Sequence, residues 1–303
     1  MVQIVVADDE GAAVLTEVVP GSSTVVVPLS GPLPAAALGA EVLVPPFAVR
    51  GTRFQELAAR MPRLRLIQLL TVGVDQWQGA VPAGVTLSNC RGAHDAPVAE
   101  WIVASLLAVL RDLPRYVHAQ AASAWAPGQA ETLAGKRVLV VGAGDVATAA
   151  RARLEVFGAT VTLVGRAARH GVSGIDSLDD LLPHHDVCVL AIPLTDSTAG
   201  LIGASRLAAL PDGAVLVNAG RGGLADTTAL DAALRTGRLR AALDVTDPEP
   251  LPADHPLWSA PGLLLTPHVA GRVAGVGRRA YTVAGHRIAS YFQSLRAVTV
   301  AVA

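Results

Sequence analysis

The sequence is poor in aromatic and charged residues. Aromatics make up 4% of its 303 positions, and Asp, Glu, Lys and Arg together 16%. Its 24 basic and 25 acidic side chains leave a formal charge of −1, and no basic cluster stands out, so a nucleic-acid partner is not expected. Cysteine is scarce: Cys90 and Cys188 lie far apart, in or beside apolar runs. Buried thiols are therefore expected rather than a disulfide or a metal pair, and no metal site is anticipated. Long hydrophobic runs are missing as well. Trp101 to Leu110 is the longest, is broken by Ser105, and is too short to span a bilayer, which argues against a membrane partner. The N-terminal MVQIVVADD has no basic region ahead of its apolar run and no small-residue cleavage site. It reads as a first β-strand rather than a signal peptide, and a cytoplasmic location is expected.

What the chain does have is apolar bulk, 51% of its residues, much of it Ala and Val. That suits an α/β protein whose parallel strands read as Val and Leu runs, and the length calls for two domains or one large one. Up to about residue 96, short β-like runs (3–7, 24–27, 41–44, 65–70 and 85–89) alternate with loops and one helix-like stretch, punctuated by Pro20, Pro28, Pro32, Pro34, Pro45 and Pro46;. PVAEWIVASLLAVLRDL, residues 97–113, follows with Pro97 in its first turn, Glu100 near its positive end and apolar residues on nearly every face;. Such a helix is expected to be buried at the seam between two bodies, or in a subunit contact.

From Lys136 onward the pattern becomes βαβ alternation. Strands are expected at 137–141, 160–164, 186–191, 214–218, 241–245 and 262–266, with helices from 144 and at 203–210 and 226–235;. A last helix, about 276–295, sits beside Gly271, Gly275 and Gly277, which would let the chain cross back to the first domain. The expected division is a dinucleotide-binding domain at 97–271, inserted into a substrate domain made of 1–96 and 272–303.

RVLVVGAGDVA sets an apolar strand directly before Gly142, Gly144 and Ala147, with a helix-forming segment after it. The spacing fits GxGxxG/A: the first small residue makes the tight turn, and the second lets backbone amides approach a pyrophosphate at the helix N-terminus. Gly142, Gly144, Asp145 and Val146 are the candidate contacts. Asp145 is awkward, since its carboxylate would repel a pyrophosphate while serving well as a helix N-cap. Beyond the next strand, Arg166 and Arg169 stand where an NAD-selective site carries Asp or Glu. Two guanidiniums suit the 2′-phosphate of NADP, so NADP(H) is favoured over NAD(H).

VLVNAGRGG, ALDVTDPEP and LLLTPHVAG each close a strand. Ligands of a doubly wound sheet sit outside the carboxyl ends of its strands, so Arg221, Glu249 and His268 can converge there. Reducing a 2-oxo acid needs a cation on the carboxylate and carbonyl, which Arg supplies bidentately. It also needs a proton donor, His268, and a carboxylate, Glu249, to fix the ring and stabilise its charged form.

With NAGRGGLADTTAL, AALRTGRLRAALDVTDPEPLPADHPLW, LLLTPHVAG, TVGVD and NCRGAHDAPVAE, the chain resembles the D-isomer-specific 2-hydroxyacid dehydrogenases over nearly its whole length. The resemblance implies an α/β protein with a Rossmann domain inserted into a flavodoxin-like substrate domain, acting as a homodimer on a small 2-oxo or 2-hydroxy acid such as glyoxylate or hydroxypyruvate. It implies that Arg221 binds substrate, Glu249 partners the histidine and His268 is the acid/base. The amides of Val72 and Gly73 would hold the substrate carboxylate, and Asp244 would meet the nicotinamide carboxamide. Pro193 and Thr198 would pass under the cofactor, and Ala219 would join its contacts. Formate dehydrogenases carry Gln in place of Glu249 and phosphite dehydrogenases Lys in place of Val72, so neither activity is favoured. A nucleotide-sensing corepressor of the same fold is the alternative.

Other residues have plainer readings. His94, beside Asp95, is expected in a turn before the long helix. Trp77, Trp101, Trp125 and Trp258 are expected in packing or subunit contacts. Arg272 departs from the small polar residue expected after PHVAG and would add positive charge near the pocket, suiting a second acidic group on the substrate. Arg50 and Arg53 read as solvated loop arginines or further substrate contacts.

Overall fold

A computed structural model of the chain describes residues 2–47 and 52–301, the side chains of Asp75 and of residues 295–301 left out. Arg50 thus lies outside the described residues. The chain forms two compact units, Met1–His94 with Ala274–Ala303, and Asp95–Val273.

The first unit is built on β1 (Val2–Val6), β2 (Ser22–Val26), β3 (Val42–Val44), β4 (Leu66–Gln68) and β5 (Thr86–Ser88), all parallel and ordered β2-β1-β3-β4-β5. That is the flavodoxin-like order. Strand side chains alternate between faces, and here both faces are covered, so Ile4–Val6 of β1 and all of β3 read as apolar runs;. Ile4, Val6, Val42 and Val44 share one core with Val14 and Leu15 of helix α1 (Asp9–Val18). Val5, Leu43 and Ile67 face the other way, onto Phe54 and Leu57 of α2 (Arg53–Ala59) and the buried Trp77. Each such fully buried Leu or Ile contributes on the order of 2 kcal/mol. The chain's last helix, here numbered α9 (Val276–Ala301), adds Tyr281, Ala284 and Ile288 to the α1 side.

The second unit carries α3 (Asp95–Leu110), α4 (Leu113–Ala121), β6 (Arg137–Val141), α5 (Asp145–Val156), β7 (Thr160–Gly165), β8 (Ser173–Gly174), α6 (Leu178–Leu181), β9 (Val187–Leu190), α7 (Ala204–Ala209), β10 (Val215–Asn218), α8 (Thr227–Arg235), β11 (Arg240–Leu243) and β12 (Leu263–Leu265). Its parallel sheet runs β12-β11-β10-β9-β6-β7-β8. The order reverses between β9 and β6, the switch point at which doubly wound sheets bind ligands. Val138 and Val140 face α3 and α5, while Leu139 and Val141 face Leu178, Leu207 and Leu230.

One expectation needs correction. The apolar helix ends at Leu110, not 113: Asp112 takes φ 54°, and a separate, exposed helix, α4, follows it. In α3, Ile102, Leu106 and Leu110 pack with Val138, Val140 and Leu154 of the same unit. Among the tryptophans, Trp77 is packed, but Trp125 is 97% exposed and Trp258 56%. The thiols of Cys90 and Cys188 are both buried, as expected, and desolvation pushes the Cys188 thiol up to about 12. Among the described residues no helix is long and apolar enough to cross a membrane.

Candidate active site

Three adjacent strands of the second sheet, β10, β11 and β12, end side by side, and Arg221, Glu249 and His268 follow them in that order. The first loop is held by Asn218, a buried residue that ends β10. Its Nδ2 donates to the carbonyl of Arg221 (2.9 Å) and its Oδ1 accepts from the amide of Gly220 (3.0 Å). Arg221 itself donates from Nη1 to the Gly220 carbonyl (2.9 Å). The next residue explains why the loop needs a glycine. A Cβ on Gly222 would lie 2.0 Å from the carbonyl carbon and oxygen of Thr246, so only a bare backbone lets the Arg221 loop pack on the segment that leads to Glu249.

That segment, TDPEP, contains two cis prolyl bonds, Asp247–Pro248 and Glu249–Pro250, and is tied down by Thr246 Oγ1 donating to the Pro248 carbonyl (2.9 Å). Glu249 Oε1 meets His268 Nδ1 at 2.6 Å. A carboxylate only accepts, so Nδ1 carries the proton in this pair, and Nε2 is the ring atom left to exchange one. The two side chains are 41% and 42% exposed, open enough for a ligand to reach them. His268 has φ 54°, the left-handed region that non-glycine residues rarely adopt.

Asp244, 3% exposed, closes β11. Its carboxylate accepts from Thr266 Oγ1 (2.6 Å) and from the amides of Val269 and Ala270 (2.8 Å each). Sequence reasoning missed Asn218 and Thr266. The one available signal was their polarity at the end of otherwise apolar strands.

Inside the sheet, between β9 and β7, β6 turns into α5 through Gly142, whose φ is 143° and whose Cβ, if it had one, would sit 2.3 Å from the Ala191 carbonyl oxygen. A Cβ on Gly144 would meet nothing within 4 Å, which is the clear approach a pyrophosphate needs. Gly144, not Asp145, occupies the N-cap position, with no side-chain cap. The expectation of an Asp145 cap is therefore corrected: Asp145 is the first helical residue, where a carboxylate still faces the positive helix end. Val146 is half-buried beside it. Arg166 and Arg169 follow β7 and are exposed. Arg169 lies back over the glycine turn, donating from Nη2 to the Ala143 carbonyl (3.0 Å). Gly165 leaves it room, since a Cβ there would come within 3.1 Å of Nη1.

The β9 loop is stapled by Thr198, whose buried hydroxyl donates to the Pro193 carbonyl and accepts from the amide of Thr195, both at 2.8 Å. Ala219 gives its amide to the Leu190 carbonyl (3.1 Å). Arg272 is exposed after the His268 turn.

In the first unit the loop after β4 is anchored through consecutive carbonyls. Leu70 is bound by His94 Nε2 (2.7 Å), Thr71 by the amide of Cys90 (2.8 Å) and Val72 by Asn89 Nδ2 (3.0 Å). A trans peptide points its N–H opposite to its carbonyl, so the amides of Val72 and Gly73 face away from these anchors. His94, packed edge-on against Phe47, serves as an anchor just before α3. Arg53 is directed to the carbonyls of Pro28 (3.2 Å) and Gly31 (2.9 Å).

Residues 103–270 match the family model described as D-isomer specific 2-hydroxyacid dehydrogenase, NAD binding domain. The chain is 35% identical over 238 residues to a D-3-phosphoglycerate dehydrogenase of Mycobacterium leprae, a match covering 75% of this chain but only 45% of that protein. It is 31% identical over 255 residues to a glyoxylate reductase of Aeropyrum pernix, covering 78% of this chain and 76% of that one. A D-isomer specific 2-hydroxyacid dehydrogenase from Xanthobacter autotrophicus Py2, solved in complex with NADPH and MES, superposes with a TM-score of 0.81 at 29% identity, over 97% of this chain and 95% of that one. The glycine turn, the paired histidine and glutamate and these likenesses lead to one conclusion: the chain belongs to the D-isomer specific 2-hydroxyacid dehydrogenase family.

Proposed function

We propose that the protein reduces a short 2-oxo acid to its 2-hydroxy acid, drawing on NADPH in preference to NADH, with His268, Glu249 and Arg221 as the catalytic set. The observation that carries this reading is the 2.6 Å contact between His268 Nδ1 and Glu249 Oε1 beside the Arg221 loop. A bound nicotinamide would supply the hydride. Its dinucleotide would rest on the turn at Gly142 and Gly144, with Asp145, Val146, Pro193, Thr198, Ala219 and Asp244 around it. The bare approach at Gly144 fits that group. Arg166 and Arg169, exposed at the end of β7, are the proposed receptors of the 2′-phosphate, a geometry that guanidinium forks suit.

The chain's own part in the reaction is to hold the acid and to move one proton. Arg221 grips the carboxylate and polarises the carbonyl, and the amides of Val72 and Gly73 are the proposed second hold on the carboxylate. As negative charge develops on the carbonyl oxygen, His268 Nε2 delivers its proton there. Glu249 keeps the ring oriented and balances the imidazolium before transfer. Glyoxylate and hydroxypyruvate are the proposed substrates. Arg272 would suit a substrate with a second acidic group, and the phosphoglycerate dehydrogenase likeness gives that variant a place in the test. The homodimer is proposed from the resemblance alone, and light scattering on the eluting protein checks it.

Purified protein is given NADPH or NADH with glyoxylate, hydroxypyruvate, oxaloacetate and 3-phosphohydroxypyruvate. Turnover on one or more of these, faster with NADPH, is expected. Nucleotide binding without turnover on any of them would favour a nucleotide sensor instead.

A further inference from the structure

Four groups from the five-residue stretch Thr266–Ala270 bind one residue. The Asp244 carbonyl accepts the amide of His268 (2.7 Å), and its carboxylate takes the Thr266 hydroxyl and the amides of Val269 and Ala270. These contacts bracket His268 on both sides while its backbone holds φ 54°. A left-handed histidine does not persist by its own preference and needs neighbours that over-determine it. Asp244 lies just after β11 and Thr266 just after β12, so the clamp is anchored in two adjacent, hydrogen-bonded strands.

We infer that Asp244 is a positioning residue for His268. By holding the Thr266–Ala270 turn it fixes the strained backbone from which the imidazole reaches Glu249. This is distinct from meeting the nicotinamide carboxamide, the role that resemblance suggests. Both fit one side chain, because an ionised carboxylate offers about four acceptor sites and the clamp uses three. Asparagine keeps the size of the side chain but replaces one acceptor with an NH2 donor. In Asp244→Asn that donor replaces either Oδ1, which accepts from the Val269 amide as well as from the Thr266 hydroxyl, or Oδ2, which accepts from the Ala270 amide; in both orientations it is set against a backbone N–H, and such a buried pair of donors cannot be satisfied. The turn then relaxes and His268 leaves Glu249.

The kinetic consequence rests on the proposed reductase reaction; the geometric one does not. Crystal structures of the wild type and of Asp244→Asn provide the independent arm. The wild type is expected to keep the His268–Glu249 contact, and the variant to show His268 with negative φ and its Nδ1 more than about 3.5 Å from Glu249. In turnover, Asp244→Asn is expected to lower kcat about tenfold or more while the NADPH KM stays within about threefold. Thr266→Val, which removes one clamp contact, is expected to lower kcat by a smaller factor, and Thr266→Ser to restore it. The threonine pair also decides the matter if the aspartate variant does not fold. An Asp244→Asn structure with His268 unmoved, a loss confined to the NADPH KM, or a Thr266→Val enzyme with wild-type kcat would overturn the inference. Should the wild type turn over none of the acids, the reductase reading fails and the crystal structures alone decide the role of Asp244.

Discussion

In the second sheet, the loops after β10, β11 and β12 and the loop after β6 are built by opposite means. After β10, β11 and β12 the backbone is knotted by side chains: Asn218 holds the Arg221 turn, Asp244 and Thr266 hold the His268 turn, and His268 rests on Glu249. After β6 the loop is defined by what is missing. Gly142 has no Cβ to strike Ala191, and Gly144 leaves its approach open. A group that must hand over a proton has to be held at a fixed point, which takes a second set of polar residues behind it. A pyrophosphate needs clearance and backbone amides, which glycine supplies without partners.

Substitutions can break this contrast. Glu249→Gln, which keeps the shape but removes the charge behind the imidazole, is expected to lower kcat on the order of a hundredfold, read from steady-state reduction of the best acid. Gly222→Ala drives a methyl into the Thr246 carbonyl. An overpacked contact of this kind costs about 1 to 3 kcal/mol, so a lower melting temperature should accompany a fall in kcat/KM. After β7, replacing Arg166 and Arg169 with alanine is expected to raise the NADPH KM about tenfold with little change for NADH, in line with the loss of charge-assisted phosphate contacts; equal effects on both nucleotides would remove them from the 2′-phosphate. The smallest effect concerns the amino ends of β6 and β9, where Arg137 binds Asp186 through Nη2 at 2.9 Å and through its amide at 2.8 Å. The guanidinium hydrogen bond holds the Asp186 carboxyl below its ordinary value. Its stabilisation is therefore present above the carboxyl's unfolded pKa and is lost as pH falls through the folded one. Asp186→Asn should lower the neutral-pH melting temperature by roughly 2 °C and make no difference in acid.

The contrast also explains what was legible in the sequence. The glycine turn and the strand runs around it declare themselves because glycine spacing and Val or Leu runs are direct prints of backbone shape. Arg221, Glu249 and His268 were legible because each follows a strand in a distinctive context. The supports were not. Asn218 and Thr266 act on neighbours brought near by folding, and nothing in a linear pattern says that Asp244 turns its carboxylate onto the amides of Val269 and Ala270. Nor does the pattern announce φ 54° at Asp112 or His268. α4 carries Leu113, Tyr116 and Val117 at helical spacing but buries none of its residues, and β8, two residues long, was too short to leave a periodic signal.

The most direct test of the account is the oxidation of NADPH by purified protein supplied with glyoxylate or hydroxypyruvate, compared with His268→Ala. The account expects clear turnover by the wild type and a loss on the order of a thousandfold in the variant, with NADPH binding kept. A variant that turns over as fast as the wild type would contradict it.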